Sequence, residues 1–336
     1  MRSRVRSVFA VLITALGTLG VSGAASTAVH AQGTFEQQCA GATSNAQLRT
    51  YCMRIGQGIE VVQPRLGIAF SGGNPVPGTA STLGMRLGTI PRFSVALRAS
   101  AATVEAPPIE KLQNTEALKF AVPALNVDAS VGVFSGISLL PTVGGFGSVD
   151  LLGSIGILPL AQSKGFTDER PLSWSVGARV GLIRESFTAP GISVSGAYRK
   201  IGTVSYGDSL FQTADAYFDI DDASAISIRG AISKRIPLVG LGFTVGAGYD
   251  RYDATAAFGA RDPSFLSGGM IAISRQDLET DRVAYFANAS WTLILVHFVG
   301  EIGVQQGLKD APSSVIGNEV LKKSGVFGGL AVRIAL

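Results

Sequence analysis

Few residues in this chain could do covalent chemistry. General acid–base catalysis near neutral pH is best served by histidine, and the 336 residues hold two, His30 and His297. His30 lies in a leader-like N-terminus, which leaves His297, on the same strand side as Glu301. A serine nucleophile on a Gly-x-Ser-x-Gly elbow is missing: Gly132-Val133-Phe134-Ser135-Gly136 and Gly191-Ile192-Ser193-Val194-Ser195-Gly196 have the wrong spacing. Asp215, Asp219, Asp221 and Asp222 form an acidic group but lack the Gly and final Glu of a calcium loop. They read as a strand end running into a polar turn. No phosphate-cradling glycine loop or Cys/His cluster occurs, so the expectation is a non-enzyme with no catalytic, cofactor-binding or metal-binding residues and no cofactor.

What remains is charge. Arg86, Arg98, Arg179, Arg199, Arg229 and Arg333 fall on the non-apolar side of the strand patterns, with Asp215, Asp250 and Glu301 as potential partners. Their positions follow a two-residue period. From Thr82 to Ser100, Leu83, Met85, Leu87, Phe93, Val95 and Leu97 are odd-numbered, with Gly84, Arg86, Gly88, Arg92, Ser94 and Arg98 between them. The period recurs in Leu172-Trp174-Val176-Ala178-Val180-Leu182 and in Leu241-Phe243-Val245-Ala247-Tyr249. Such alternation belongs to strands and would scatter around a helix. The second face is rich in Gly, Ser and Arg, which suits a confined interior of curved strands better than a face open to bulk water.

Composition narrows the class. Charged residues make up 15% of the chain and glycine contributes 42 residues, against roughly 25% charged and about 7% glycine in soluble domains. Mean hydropathy is +0.34, yet beyond the N-terminus no apolar run reaches the roughly 18 residues of a membrane-spanning helix. A closed transmembrane barrel reconciles the two, because every second side chain faces lipid. Charges facing lipid would cost roughly 2–4 kcal/mol per Arg at mid-bilayer, so the arginines are expected in the lumen. There they would either bias a pore toward anions or pair with carboxylates and fill a narrow barrel.

The N-terminus has the order of a secretory leader: Arg2, Arg4 and Arg6, an apolar run from Val8 to about Val21, then small residues to Ala31. Cleavage before Gln32 removes three of the 28 basic residues and leaves 25 against 24 acidic. A near-neutral mature chain gives no reason to expect nucleic-acid binding. Export to an oxidising compartment makes a disulfide between Cys39 and Cys52 the expected state of the two cysteines. Closing a loop of about 14 residues contributes on the order of 3 kcal/mol in the chain-entropy model.

The last residues, Val326 to Leu336, read V-F-G-G-L-A-V-R-I-A-L, with Leu330, Val332, Ile334 and Leu336 on one face. This resembles the C-terminal strand of Gram-negative outer-membrane barrels, whose terminal hydrophobe is Phe or Trp where this chain has Leu336. The resemblance implies outer-membrane lipid and the barrel-assembly machinery as partners. Gly72-Gly73-Asn74-Pro75-Val76-Pro77-Gly78 is a dense turn signal; its Asn-Pro resembles an element of outer-membrane transporters for long-chain fatty acids.

The expected organisation is a leader over 1–31, an N-terminal periplasmic or plug segment over 32–62, and an antiparallel up-and-down barrel over 63–336. Ser44 or Asn45 would cap a short helix with Leu48, Tyr51, Ile55 and Ile59 on its apolar side. Strands are expected at 64–71, 82–90, 92–103, 118–134, 146–158, 172–184, 190–201, 213–221, 224–235, 240–253, 282–293, 295–306 and 325–336. Bacterial barrels have an even strand number, so these thirteen imply twelve, with 82–103 as one strand, or fourteen, with a hairpin inside 118–134. A tight turn or bulge is expected within Trp291–Phe298, where the apolar parity changes, and polar loops at 254–281 and 307–324. Two functions fit: a passive, porin-like channel for small solutes, or a non-conducting structural or adhesion barrel with a plugged lumen.

Overall fold

The computed structural model describes residues 37–74, 76, 92–107, 109–113, 116–137, 145–160, 165–166, 170–187, 189–212, 214–262, 269–307 and 322–335. The leader, Arg86, the expected strand 82–90, Leu336 and most of 307–324 lie outside them.

Among the described residues, a short helical stretch at 37–42, one long helix and eleven strand segments make the fold. The helix α1 is Ala46–Ser71. The strands are β1 Phe93–Ala106, β2 Leu118–Phe134, β3 Ser148–Ile157, β4 Leu172–Ile183, β5 Gly191–Ile201, β6 Val204–Gly207, β7 Ala216–Ile236, β8 Leu241–Asp262, β9 Gly269–Leu293, β10 Val296–Gln305 and β11 Gly325–Ala335. Each pairs antiparallel with its neighbours, β1 with β11, and the β5–β7 pairing closes the ring. β6 continues the line of β5 past Gly202 and pairs with the far end of β7, Val204 opposite Ile220.

Ten strands therefore close the ring among the described residues and β6 pairs outside the closure, a total near the lower of the two expected numbers, twelve and fourteen. Three physical reasons account for the remaining difference. Residues 64–71 are helical, because the Leu66-Ile68-Phe70 alternation lies in the last turns of α1. No hairpin interrupts β2, which runs unbroken over 17 residues. The expected strands 213–221 and 224–235 are one strand, β7, with an irregularity between Asp221 and Ser224 and Asp222 at φ +53°. A bulge changes side-chain parity inside a single strand, and in sequence that reads as two. The parity change near Trp291 is a tight turn, Leu293 facing Val296 across Ile294 at φ +58°.

Along the long strands the chemistry of the two faces inverts. In one zone the outward residues are apolar: Ile226 to Ile232 on β7, Leu241 to Tyr249 on β8, Val283 to Leu293 on β9. Beyond that belt β8 and β9 turn Arg251, Asp253, Asp277 and Glu279 outward, and Tyr252, Ala256, Phe258, Ile271 and Ile273 inward. The collar so formed replaces most of the loop expected over 254–281.

α1 fills the interior of the collar. At about 1.5 Å per residue its 26 residues span about 39 Å. The side chain of Asn45 caps it, accepting from the amides of Gln47 and Leu48 at 2.9 and 3.2 Å. Leu48, Tyr51, Ile55, Ile59 and Leu66 are at most 1% exposed and pack against the apolar inner face of the collar. Each such side chain contributes about 1.5–3 kcal/mol on burial. Pro64 cannot donate to the carbonyl four residues earlier, and Arg282 of β9 donates to that Glu60 carbonyl at 3.4 Å.

Candidate functional site: a socket for the helix end

A helix ends with four carbonyls that have no intrahelical partner. Here each has one. The Ile68 carbonyl accepts from Gly72 N at 2.7 Å, that of Ala69 from Ser100 Oγ at 2.7 Å, that of Phe70 from Arg98 Nη1 at 2.7 Å, and that of Ser71 from Arg229 Nη1 at 3.3 Å. Three of the four donors are wall side chains, from β1 and β7. Arg98 also donates to the Gly72 carbonyl and forks onto Asp128 at 2.9 and 2.8 Å. The partial negative charge of the helix C-terminus thus meets fixed cations, the favourable polarity for a helix dipole.

The chain just past the helix is held by the opposite sign. Glu301 of β10 accepts from Gly73 N at 2.6 Å, from Asn74 N at 3.3 Å and from Asn288 Nδ2 at 2.8 Å. Gly73 has φ +73°, and a Cβ on Gly329 of β11 would stand 3.0 Å from Gly73 Cα. Two glycines therefore let plug and wall backbones touch. Higher up, Arg65 donates to the Gln305 carbonyl and side chain at 3.2 and 3.0 Å and to the Lys323 carbonyl at 3.1 Å. At the collar, Tyr51 OH donates to the Ile109 carbonyl at 2.8 Å. Burial, then the field of Asp215, pushes the Tyr51 phenol well above its ordinary pKa. Cys39 and Cys52 are disulfide-bonded, Cα atoms 5.8 Å apart, at this end of α1.

All five arginines of the expected set that lie among the described residues point inward and are buried. They do not form a free ring of charge. Arg98 and Arg229 are socket donors. Arg179 pairs with Asp150 at 2.7 Å and donates to the Val76 carbonyl at 2.6 Å. Arg199 lies over the Phe70 ring, 5.6 Å from its centroid. Buried Nε and Nη1 of Arg333 have no hydrogen-bond partner among the described residues. Of the expected acidic partners, Asp250 faces Arg229 at 3.8 Å and Glu301 holds backbone amides. Asp215 sits outside this group, accepting from Leu112 N at 3.2 Å. His297 faces inward, its Nδ1 2.9 Å from Thr292 Oγ1.

Sequence reasoning missed Asp128, Asp150, Ser100 and Asn288. Asp128 and Asp150 occupy even positions in strands whose odd positions, Val127 and Leu151 among them, face outward, so the alternation that located the arginines also marked these carboxylates. Nothing in the sequence marked Arg65 or Glu301 as plug contacts, because most of their partners are main-chain atoms.

A closed antiparallel ring with an apolar outer belt and a polar interior has the outer-membrane β-barrel fold and resembles that class of protein. No family model and no curated protein matches the chain. Similar solved structures include the translocator domain of the autotransporter NalP from Neisseria meningitidis, at 11% identity and TM-score 0.40, covering 83% of this chain and 96% of that one. The transport unit of the autotransporter AIDA-I from Escherichia coli is similar at 10% identity and TM-score 0.38, covering 82% and 99%. An outer-membrane channel from Pseudomonas putida F1 is similar at 9% identity and TM-score 0.35, covering 78% and 99%.

Proposed function

We propose that this protein spans the outer membrane as a barrel whose lumen is closed at rest by its own helix α1, and that it has no catalytic role. The observation that carries the reading is the socket: all four terminal carbonyls of α1 are satisfied, three of them by lumen-wall side chains. Outward apolar runs such as the nine residues Leu241 to Tyr249 and the eleven residues Val283 to Leu293 match the ~9–11 residues of a tilted membrane-crossing strand. Trp174, Tyr198, Tyr285 and Trp291 stand outward, between 40% and 52% exposed, as an interfacial aromatic girdle requires.

This favours the plugged barrel over the open passive channel, since arginines engaged with a helix end are not available as a selectivity ring. Conduction would need α1 to leave its socket. Planar-bilayer recording of the refolded, heat-modifiable protein tests the reading: intact chains are expected to stay silent. Sustained conductance steps from the unmodified protein would sink it.

A further inference from the structure

The helix end does not fill the whole lumen. Between the residues just past α1 and the wall formed by β3, β4, β5 and β7 lies a cavity of about 110 Å³, lined by Ser154, Ser175, Ser195, Ser227, Asn74 and Arg199. The wall is hollowed by small residues, Gly177 and Ala197 among them. That volume equals about three to four waters at ~30 Å³ each.

Its charge balance is uneven. Three arginines border the cavity, Arg98, Arg199 and Arg229, with a single carboxylate, Asp128. Both Asp128 oxygens are taken by Arg98, and Arg229 faces Asp250. Arg199 is left as a buried cation, 7% exposed, whose one hydrogen bond among the described residues is to Ser173 Oγ at 3.3 Å. Ser154 Oγ, in the same lining, is buried with no hydrogen-bond partner among the described residues. A buried cation with no ion pair of its own among the described residues is costly, and hydroxyls around a guanidinium are donors that suit an oxyanion.

We infer that this cavity binds one small free oxyanion of phosphate or sulfate size, held by Arg199 and the serine hydroxyls. The ion would give Arg199 an ion pair of its own, and a lipid headgroup cannot supply it, because the cavity lies inside the ring. The inference stands apart from the membrane reading, since it concerns the interior only.

Calorimetric titration of the folded, detergent-solubilised full chain with inorganic phosphate and with sulfate, against chloride, tests it. Saturable binding of one phosphate or sulfate per chain is expected, weakened at least about tenfold by Arg199→Gln and left unchanged by Arg251→Gln on the outer face. Ser175→Val, which keeps every charge but narrows the cavity, should weaken it likewise and serves if Arg199→Gln does not fold. Absence of saturable binding by folded wild-type protein, or binding unaffected by both cavity variants, would overturn the inference and leave a water-filled cavity.

Discussion

Arg98 shows how much one side chain is asked to do in this lumen. Its guanidinium neutralises Asp128 through two bonds and caps the carbonyls of Phe70 and Gly72. A lysine could not reproduce this, because a single ammonium has neither the planar fork nor enough directed donors. Replacing Arg98 with Met would strand a buried carboxylate and two carbonyls, a loss of about 3–5 kcal/mol by analogy with broken buried pairs. We expect the Arg98→Met protein to keep its barrel, shown by heat-modifiable migration, while the 46–71 segment becomes susceptible to protease. Equal protease resistance of variant and wild type would show that the socket does not anchor the helix.

At the scale of elements, the long strands were legible in the sequence wherever one face meets an apolar exterior: β4, β5, β10 and β11 fall within a residue or two of expectation. The helix start was legible too, since Asn45 and the Leu48-Tyr51-Ile55-Ile59 spacing announce it locally. The helix end was hidden because Leu66, Ile68 and Phe70 alternate by chance with Gly67 and Ala69 in a segment buried on all sides, where no polar face betrays the period. The collar was hidden for the opposite reason: its inside is apolar and its outside charged, so a reading tuned to the belt finds only a polar loop. Within α1, Gly67 lies against the buried Tyr252 ring, and a Cβ there would overlap it. Gly67→Val is therefore expected to displace α1 while the ten-strand ring persists. Bilayer recording should show conductance steps in this variant where the wild type is silent.

At the scale of the whole molecule, the two mouths differ. One carries the two shortest hairpin connections, the three-residue turn Pro237–Val239 and the Leu293–Val296 turn. The other carries the collar, where Asn45 at the start of α1 bonds Asp262 of β8 at 3.3 Å. Outer-membrane barrels have short turns on the periplasmic side and longer extracellular loops. If the barrel spans the outer membrane as proposed, that rule puts its disulfide-bearing N-terminal segment at the extracellular mouth. An epitope inserted after exposed Gly41 should bind antibody on intact cells, whereas one at Leu238, 98% exposed on the short turn, should bind only after permeabilisation. The reverse pattern would invert the orientation.

The pairing of β1 with β11 joins the two ends of the chain's strand order over nine residue pairs, and it does so around a helix. An α-helix with its side chains is about 10–12 Å across, and its lower end is tethered through residues 72–92 to the start of β1. Shutting this seam is therefore an encirclement, and α1 has to be inside, or enter by threading, before the native state exists. The same constraint acts in reverse. Escape of the helix would wait on rupture of a strand pair or on passage through a packed collar, so its retention is set by the height of an unfolding barrier as much as by the depth of the well. The protein's durability should accordingly be measured as a lifetime.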